Sequence, residues 1–151
     1  LHDGSRILGE SRIGKSRKRI QSISLVPARC KPLPETLDAI AAADLITLGP
    51  GSLFTSVIPN LLVKGIPEAI RASRAHKTYF LNLMWQPGET MQFRASDHVR
   101  ALYDHARGPL LDSCVVNTRA ISPALLKRYA EKRARPVEID HDNLGQLGLQ
   151  V

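Results

Sequence analysis

The turn after the first strongly apolar segment carries residue types that suit phosphate binding. In LITLGPGSLFTS, residues 45–56, a short apolar run leads into the turn formed by Gly49, Pro50, Gly51 and Ser52. Glycine lets a ligand approach the backbone closely, and the N–H groups at a helix N-terminus attract anions. The turn matches neither G-x-G-x-x-G nor the P-loop pattern. It therefore predicts contact with a phosphate or nucleotide, with an ordinary capped turn as the alternative.

A third reading makes Ser52 a nucleophile on a strand-to-helix elbow. That elbow has the pattern G-x-S-x-G, whereas here Gly51 directly precedes Ser52 and Phe54 stands where the second glycine belongs. The pairs Asp97-His98 and Asp104-His105 would have to complete a triad, yet both fall within one predicted helix, and a surface helix explains them. We therefore expect no catalytic residue in this chain.

The loop NLMWQPGETMQFRA, residues 82–95, offers hydrogen-bonding groups suited to a nucleotide. Asn82, Gln86 and Glu89 stand around the turn at Gly88, and together they could bind a base edge or sugar hydroxyls. The ring of Trp85 adds a flat apolar surface to this loop. An irregular loop stabilised by its own polar side chains is the alternative, since these are ordinary turn residues.

A third loop contributes an arginine. Asn117 and Arg119 follow another apolar segment, and the guanidinium fork suits a diphosphate, although a plain helix-entry loop remains open. Glu89 has no second carboxylate in its loop to hold a metal ion. We therefore expect no metal site and no cofactor, with Mg²⁺ required only if the protein is a transferase.

Positive charge is concentrated near the start of the chain. The formal net charge is +7, and one short stretch holds Arg12, Lys15, Arg17, Lys18 and Arg19. No aromatic residue is interleaved there, so the stretch lacks the stacking groups of many nucleic-acid-binding surfaces. A solvated hairpin loop is the favoured interpretation, ahead of contact with an anionic ligand, and a nucleic-acid partner is the least favoured.

Strand and helix patterns alternate along the chain and position these loops. The predicted strands are residues 6–13, 19–26, 45–48, 77–81, 113–117 and 136–139, and helical patterns separate the later ones. Ser96 and the pair Ser122-Pro123 are predicted helix starts. We expect a Rossmann-like α/β fold with a mainly parallel sheet, helices on both faces and a preceding antiparallel strand pair. Ligands of such sheets bind beyond the strand carboxyl ends, where all three loops lie.

Length and composition fit one α/β domain over residues 1–151. Cys30 and Cys114 lack metal-type spacing, and no apolar run of about 18 residues is long enough to span a bilayer. We expect a cytoplasmic protein with no membrane partner. The polar, basic first residues and the absence of an initial Met suggest a start inside a longer protein.

Several motifs together resemble one family. GESRIGKSRKRI, ADLITLGPGSLFTSVIPNLLVKGIPEAI, NLMWQPGET, SDHVRAL and VVNTR occur in that order. They are similar to the C-terminal half of the YvcK-like gluconeogenesis factor family, relatives of the 2-phospho-L-lactate transferase CofD. The resemblance implies a bacterial regulatory protein that binds UDP-N-acetylglucosamine and influences carbon metabolism, cell shape and cell-wall synthesis. It leaves a CofD-like transferase with a nucleotide-activated phospholactyl donor as the alternative.

The resemblance also assigns the loops. Residues 49–52 fall on the family's ligand-facing turn, and Asn82, Gln86, Gly88 and Glu89 on its second loop. Trp85 stands where the family usually has Thr, which puts a hydroxyl contact there in doubt. The family's Gly-rich phosphate-binding motif is missing from this chain, so we expect weak or no binding of the nucleotide sugar by the chain alone. The surface that meets the first half is also expected to be exposed, with self-association into a homo-oligomer as one way to cover it.

Overall fold

Three parallel strands form the centre of the chain. The computed structural model describes residues 1–16 and 18–151. The strands lie in the sheet order β1 (Leu45–Leu48), β2 (His76–Phe80), β3 (Ser113–Val115). Leu48 pairs with Tyr79 and Tyr79 with Cys114, so one row of side chains crosses all three strands. The predicted α/β class and parallel sheet are confirmed.

Helices occupy most of the connections, as the apolar periodicity predicts. They are α1 (Glu10–Ile13), α2 (Pro34–Ala42), α3 (Ile58–Leu61), α4 (Ile66–Ala72), α5 (Ala95–Ala106), α6 (Pro123–Glu131) and α7 (His141–Gln146), with a π-helical turn at Leu53–Val57. Pro34 and Pro123 lie in the first turns of their helices. An N–H group there has no acceptor within the helix, so its absence in proline costs no hydrogen bond. Ser122 caps α6 as predicted, because its Oγ accepts a hydrogen bond from the Leu125 N–H at 3.4 Å.

The helices that connect the strands pack on one face of the sheet. Right-handed crossovers between strands that follow one another in sheet order lie on the same side. Accordingly, α3 contacts both α4 and α5, and α2 contacts α4. The opposite face carries Leu45 and Val115, which are 56% and 44% exposed.

The hydrophobic core lies between the sheet and these helices. Leu53, Ile58, Val99 and Leu102 are completely buried, and Tyr79 projects from β2 into the same core. Burying each such side chain contributes about 1.5–3 kcal/mol. The predicted apolar face of α5 is thus confirmed, and it fixes the helix against the strand ends that carry the loops.

The start of α5 differs from the prediction. The helix begins at Ala95, and the N–H of Arg94 donates to Oδ2 of Asp97 at 2.9 Å. Ser96, the predicted cap, lies inside the helix, where its Oγ donates to Oδ2 of Asp140 at 2.6 Å. The serine therefore joins α5 to the residue that precedes α7.

The predicted antiparallel strand pair is wrong. Residues 6–13 and 19–26 contain no strand among those described, and residues 10–13 form α1 instead. We call residues 6–16 and 18–26 the arm. Its apolar residues attach it to the core: Ile20 is 3% exposed, and the N–H of Ile23 donates to Nε2 of His105 at 3.1 Å. The short alternation of apolar residues therefore reflects single anchors rather than a paired strand.

Residues 136–139 are also not a strand of the sheet. Pro136 forms an isolated antiparallel bridge with Met84, and Glu138 a parallel one with Arg94. The N–H of Val137 donates to the Leu83 carbonyl at 3.1 Å, so this segment pairs with the second loop. Beside β3 lies Gln150 instead, whose carbonyl accepts from the Cys114 N–H at 2.8 Å.

No single helix in the described residues is long and apolar enough to cross a membrane. The segments Leu53–Leu61 and Ile66–Ala72 reach that length and composition only as a pair, bent by 74°. Their large apolar side chains, including Ile58 and Ile70, are buried in the core.

Candidate functional site

Gly49 brings the first turn against the end of β2. Its φ is +80°, and a Cβ at this position would lie 2.9 Å from the Phe80 carbonyl oxygen. Only glycine fits this conformation without strain. The close approach places the turn at the carboxyl edge of the sheet, as the sequence predicts.

Side chains of the second loop bind the backbone of the first turn. Oδ1 of Asn82 accepts from the Gly51 N–H at 3.3 Å, and its Nδ2 donates to the Gly51 carbonyl at 2.7 Å. Oε1 of Gln86 accepts from the Leu53 N–H at 3.1 Å. The two predicted loops are therefore brought together, with amide groups between them.

Glu89 occupies the place where the sequence suggests a phosphate. Its Oε1 accepts from Oγ of Ser52 at 2.6 Å and from Oγ1 of Thr55 at 3.2 Å, and its Oε2 accepts from the Phe54 N–H at 3.2 Å. Only 9% of the residue is exposed. A protein carboxylate thus already stabilises the start of the π-helical turn, and a phosphate would have to displace it to reach the Phe54 N–H. Ligand contact by residues 49–52 stays a prediction.

The basic arm crosses the second loop at Gly88. A Cβ on Gly88, whose φ is +86°, would lie 2.2 Å from the Gly14 carbonyl oxygen, so no other residue fits while the arm is in place. A Cβ on Gly14 would lie 3.9 Å from Oε1 of Glu89. The arm therefore does not form the expected hairpin loop but covers the turn at Glu89. Arg17 of that basic stretch lies outside the described residues.

A cleft of about 230 Å³ opens at the carboxyl ends of β2 and β3. Its polar lining residues are Asn82, Asn117 and Arg119. The rest of the lining is apolar and consists of Leu81, Leu83, Ile121, Leu126, Pro136, Val137 and Ile139. Ligand pockets are commonly about 300–1,000 Å³, so this cleft can take a base or sugar ring rather than a whole nucleotide sugar.

Arg119 gives this cleft positive charge. Nδ2 of Asn117 donates to the Arg119 carbonyl at 2.7 Å, which holds the third loop in a tight turn. Among the described residues, the Arg119 guanidinium has no carboxylate within ion-pairing distance. The third loop can therefore present a cation to an anionic group at the cleft.

The predicted site residues fall into separate neighbourhoods. Gly49 and Pro50 line a different groove of about 310 Å³ between β1 and the helices. Trp85 is not part of the cleft lining, because its Nε1 donates to the Phe93 carbonyl at 3.0 Å and its ring packs against the core. Pro136, Val137 and Ile139 do line the cleft, although sequence reasoning missed them as site residues. Their apolar alternation was visible, but nothing local showed that they pair with Met84.

Both histidines considered for a catalytic triad bond to groups other than the Ser52 hydroxyl. Nδ1 of His98 lies 3.1 Å from the Tyr79 hydroxyl, and burial lowers the pKa of His98 to about 4. Nδ1 of His105 lies 2.7 Å from the Ala101 carbonyl. Since the hydroxyl of Ser52 donates to Glu89, the triad reading has no geometric support.

The described residues hold no group of three His, Cys, Asp or Glu side chains placed to bind a metal ion. Cys30 and Cys114 are both free thiols, the first partly exposed and the second buried. Burial raises the pKa of the Cys114 thiol to about 11. That thiol is therefore protonated at neutral pH.

Comparison with known proteins shows which family this chain belongs to. The family described as 2-phospho-L-lactate transferase CofD matches residues 1–151. The chain belongs to the CofD family. Its similarity to that family covers the arm, the three loops and the cleft together.

Individual CofD-family relatives are close in sequence and structure. A gluconeogenesis factor of Halalkalibacterium halodurans is 46% identical over 99% of this chain and 46% of its own length. One from Bacillus subtilis is 44% identical over 100% of this chain and 48% of its own. A crystal structure of a Bacillus halodurans protein matches with a TM-score of 0.96 and 46% identity, over 99% of this chain and 48% of that one. The chain thus spans about half the length of these relatives.

Proposed function

We propose that this chain forms one wall of a nucleotide-sugar site in a regulatory protein of carbon metabolism, with UDP-N-acetylglucosamine as the ligand. The observation that carries the proposal is the cleft beyond β2 and β3, where a guanidinium meets apolar walls. Open parallel sheets bind ligands at this edge. The proposal includes a cytoplasmic location and an influence on cell shape and wall synthesis.

The chemistry of the cleft suits the two parts of such a ligand. Apolar side chains such as Leu83 and Val137 can contact a ring, while the Asn117 amide can bond its polar edge. Arg119 can bind a phosphate through two parallel N–H donors. A volume of about 230 Å³ leaves the remainder of the ligand outside this wall.

The regulatory role is supported by the relatives rather than by the cleft. Two proteins 44–46% identical to this chain are named gluconeogenesis factors, which favours a role in carbon metabolism. Fold and family alone do not establish a reaction. The proposal therefore specifies binding without turnover.

Calorimetry and thermal shift with UDP-N-acetylglucosamine test the proposal. We expect weak binding, with a Kd above about 1 µM, because a partial site loses contacts while immobilising the ligand still costs free energy. At millimolar ligand the melting temperature rises, and Arg119→Ala removes that rise. Arg74→Ala is the matched control, because Arg74 is exposed and precedes β2 at the opposite end of the sheet. An equal rise in Arg119→Ala contradicts the proposal, and submicromolar affinity contradicts the partial site.

A transferase is the second candidate, and the CofD family description favours it. In that case guanine nucleotides stabilise the protein more than uridine nucleotides do, and a nucleotide-activated phospholactyl donor with Mg²⁺ and an acceptor yields product. Equal melting curves with the two nucleotide classes and no product exclude this candidate.

A further inference from the structure

A second groove, with a volume of about 520 Å³, lies on the arm. We call it the arm groove, and its lining residues are Arg6, Ile7, Leu8, Arg12, Lys15 and Ser16. It shares no lining residue with the cleft beyond β2 and β3. Ligand sites commonly measure about 300–1,000 Å³, so the arm groove is large enough to hold a small molecule of its own.

The cations of the arm groove are not neutralised by the protein. Within residues 1–16 and 18–151, Arg6, Arg12 and Lys15 have no carboxylate at ion-pairing distance. The neighbouring Lys18 differs, because its Nζ donates to Oδ2 of Asp3 at 2.7 Å. That bond holds the pKa of Asp3 well below its usual value, so this carboxylate stays ionised and paired with Lys18. Three unpaired charges of one sign around a groove raise the local concentration of anions.

The backbone that carries two of these cations is fixed in place. Ile13 packs against the hydrophobic core. The N–H of Arg12 donates to the Gly9 carbonyl at 3.1 Å, and the N–H of Ser16 donates to the Ile13 carbonyl at 3.1 Å, so Lys15 lies within a closed turn. Because these positions are ordered before a ligand arrives, binding an anion costs little further backbone ordering.

The donor groups of the arm groove suit a chain of phosphates. The guanidinium groups of Arg6 and Arg12 can each bind two phosphate oxygens, and Lys15 adds a point charge. The Ser16 hydroxyl is a further donor. A phosphate monoester carries a charge of about −1.5 to −2 at neutral pH, so three cations match a longer phosphate chain better than a single phosphate.

We propose that the arm groove binds the phosphate chain of a polyphosphorylated small molecule, either an inorganic polyphosphate or a nucleoside triphosphate. The observation that carries this inference is the meeting of three unpaired cations around one groove of ligand size. The site is separate from the cleft that holds Arg119. Binding at the arm groove therefore stands or falls independently of the nucleotide-sugar site.

Calorimetry with inorganic tripolyphosphate tests the site. In about 0.15 M salt we expect one ligand per chain with a Kd below about 1 mM. Arg12→Ala combined with Lys15→Ala weakens binding at least about tenfold, because two charge-assisted contacts to phosphate are lost. Absence of tripolyphosphate binding by the parent at that concentration overturns the proposal.

A matched control separates a site from the general attraction of a basic protein for anions. Arg128→Ala combined with Lys132→Ala removes the same charge from two exposed positions at α6. We expect this double variant to weaken binding less than about twofold, since overall charge acts only through the long-range field. Equal weakening in the two double variants overturns the proposal. Arg119→Ala should bind tripolyphosphate as the parent does, because Arg119 lines only the cleft.

Adenosine triphosphate distinguishes the two sources of the phosphate chain. Leu8 is 71% exposed and lines the groove, so it can contact a ring attached to the chain. Binding of adenosine triphosphate at least about tenfold tighter than tripolyphosphate, with the gain lost in Leu8→Ser, assigns the groove to a nucleotide. Equal affinity for the two ligands assigns it to the phosphate chain alone.

Amine acetylation followed by mass spectrometry locates the bound ligand. Lys15 and Lys127 are both exposed, so both react in the free chain. Saturating tripolyphosphate should slow acetylation of Lys15 at least about fivefold and leave Lys127 unchanged, because a bound phosphate covers the first amine. Equal protection of the two lysines, or protection of neither, overturns the assignment of the site to the arm groove.

Discussion

Replacing Glu89 by alanine tests whether this carboxylate holds the first turn. The side chain accepts three hydrogen bonds, from Ser52 Oγ, Thr55 Oγ1 and the Phe54 N–H. The two hydroxyls can find other acceptors, but Phe54 is only 2% exposed, so its N–H is left unpaired. An unsatisfied buried donor costs about 1–3 kcal/mol.

We therefore expect Glu89→Ala to lower the free energy of unfolding by about 1–3 kcal/mol. For a chain of this size the melting temperature falls by about 2–12 °C. Urea unfolding followed by Trp85 fluorescence measures the change. Glu89→Gln keeps one acceptor oxygen but turns the other into an N–H donor, so it should fall between the parent and Glu89→Ala.

Glu68→Ala is the matched control for this measurement. Glu68 has a side chain that is 68% exposed and lies 3.9 Å from Arg71. Exposed ion pairs contribute about 0–1 kcal/mol, so this variant should unfold nearly as the parent does. If Glu89→Ala loses no more stability than Glu68→Ala, the reasoning about the turn is refuted.

Three further outcomes follow from the contacts described above. Gly88→Ala should destabilise more than Gly65→Ala in urea unfolding, because both have positive φ but only Gly88 meets the Gly14 carbonyl; equal losses would show that the arm does not press on the loop. Burial depresses the pKa of His98 to about 4, so the unfolded chain binds a proton below about pH 6.5 that the folded chain does not. Stability should fall by up to about 3 kcal/mol between pH 6.5 and 4, a slope that His98→Gln removes; an unchanged slope in that variant would contradict the assignment. Burial opposes ionisation of Asp140, but hydrogen bonds from Ser96 and Asn143 outweigh it and hold the pKa below its usual value. The stability that Asp140 provides is therefore present above about pH 4 and is lost as the pH falls below that value, so the difference between parent and Asp140→Asn should shrink there; a constant difference would contradict this.

Local patterns were enough to predict the strands and helices that carry the loops. The apolar segments at 45–48 and 113–117 and the helical period of α5 depend only on the types of neighbouring residues. The structure therefore contains these elements with only small shifts of their boundaries. The glycine at residue 49 likewise signals a turn by itself, because its conformation is needed wherever that turn forms.

Long-range partners could not be predicted in the same way. Glu89 could have faced solvent, a metal or a ligand, and only the fold shows that it bonds Ser52, 37 positions earlier. Residues 19–26 and 136–139 have strand-like alternation, yet one segment is held by His105 and the other by the second loop. Alternation records which side chains are buried, whereas the choice of backbone partner depends on distant residues.

The bonds between the first and second loops also restrict how this protein can change. Backbone amides of one loop depend on Asn82, Gln86 and Glu89 in another, so a substitution in either loop alters the fit of both. Grafting the Gly49–Ser52 turn alone into a scaffold without the second loop would leave the Gly51 N–H without its Asn82 acceptor. The two loops therefore form one structural unit, and a design that transfers either loop has to transfer both.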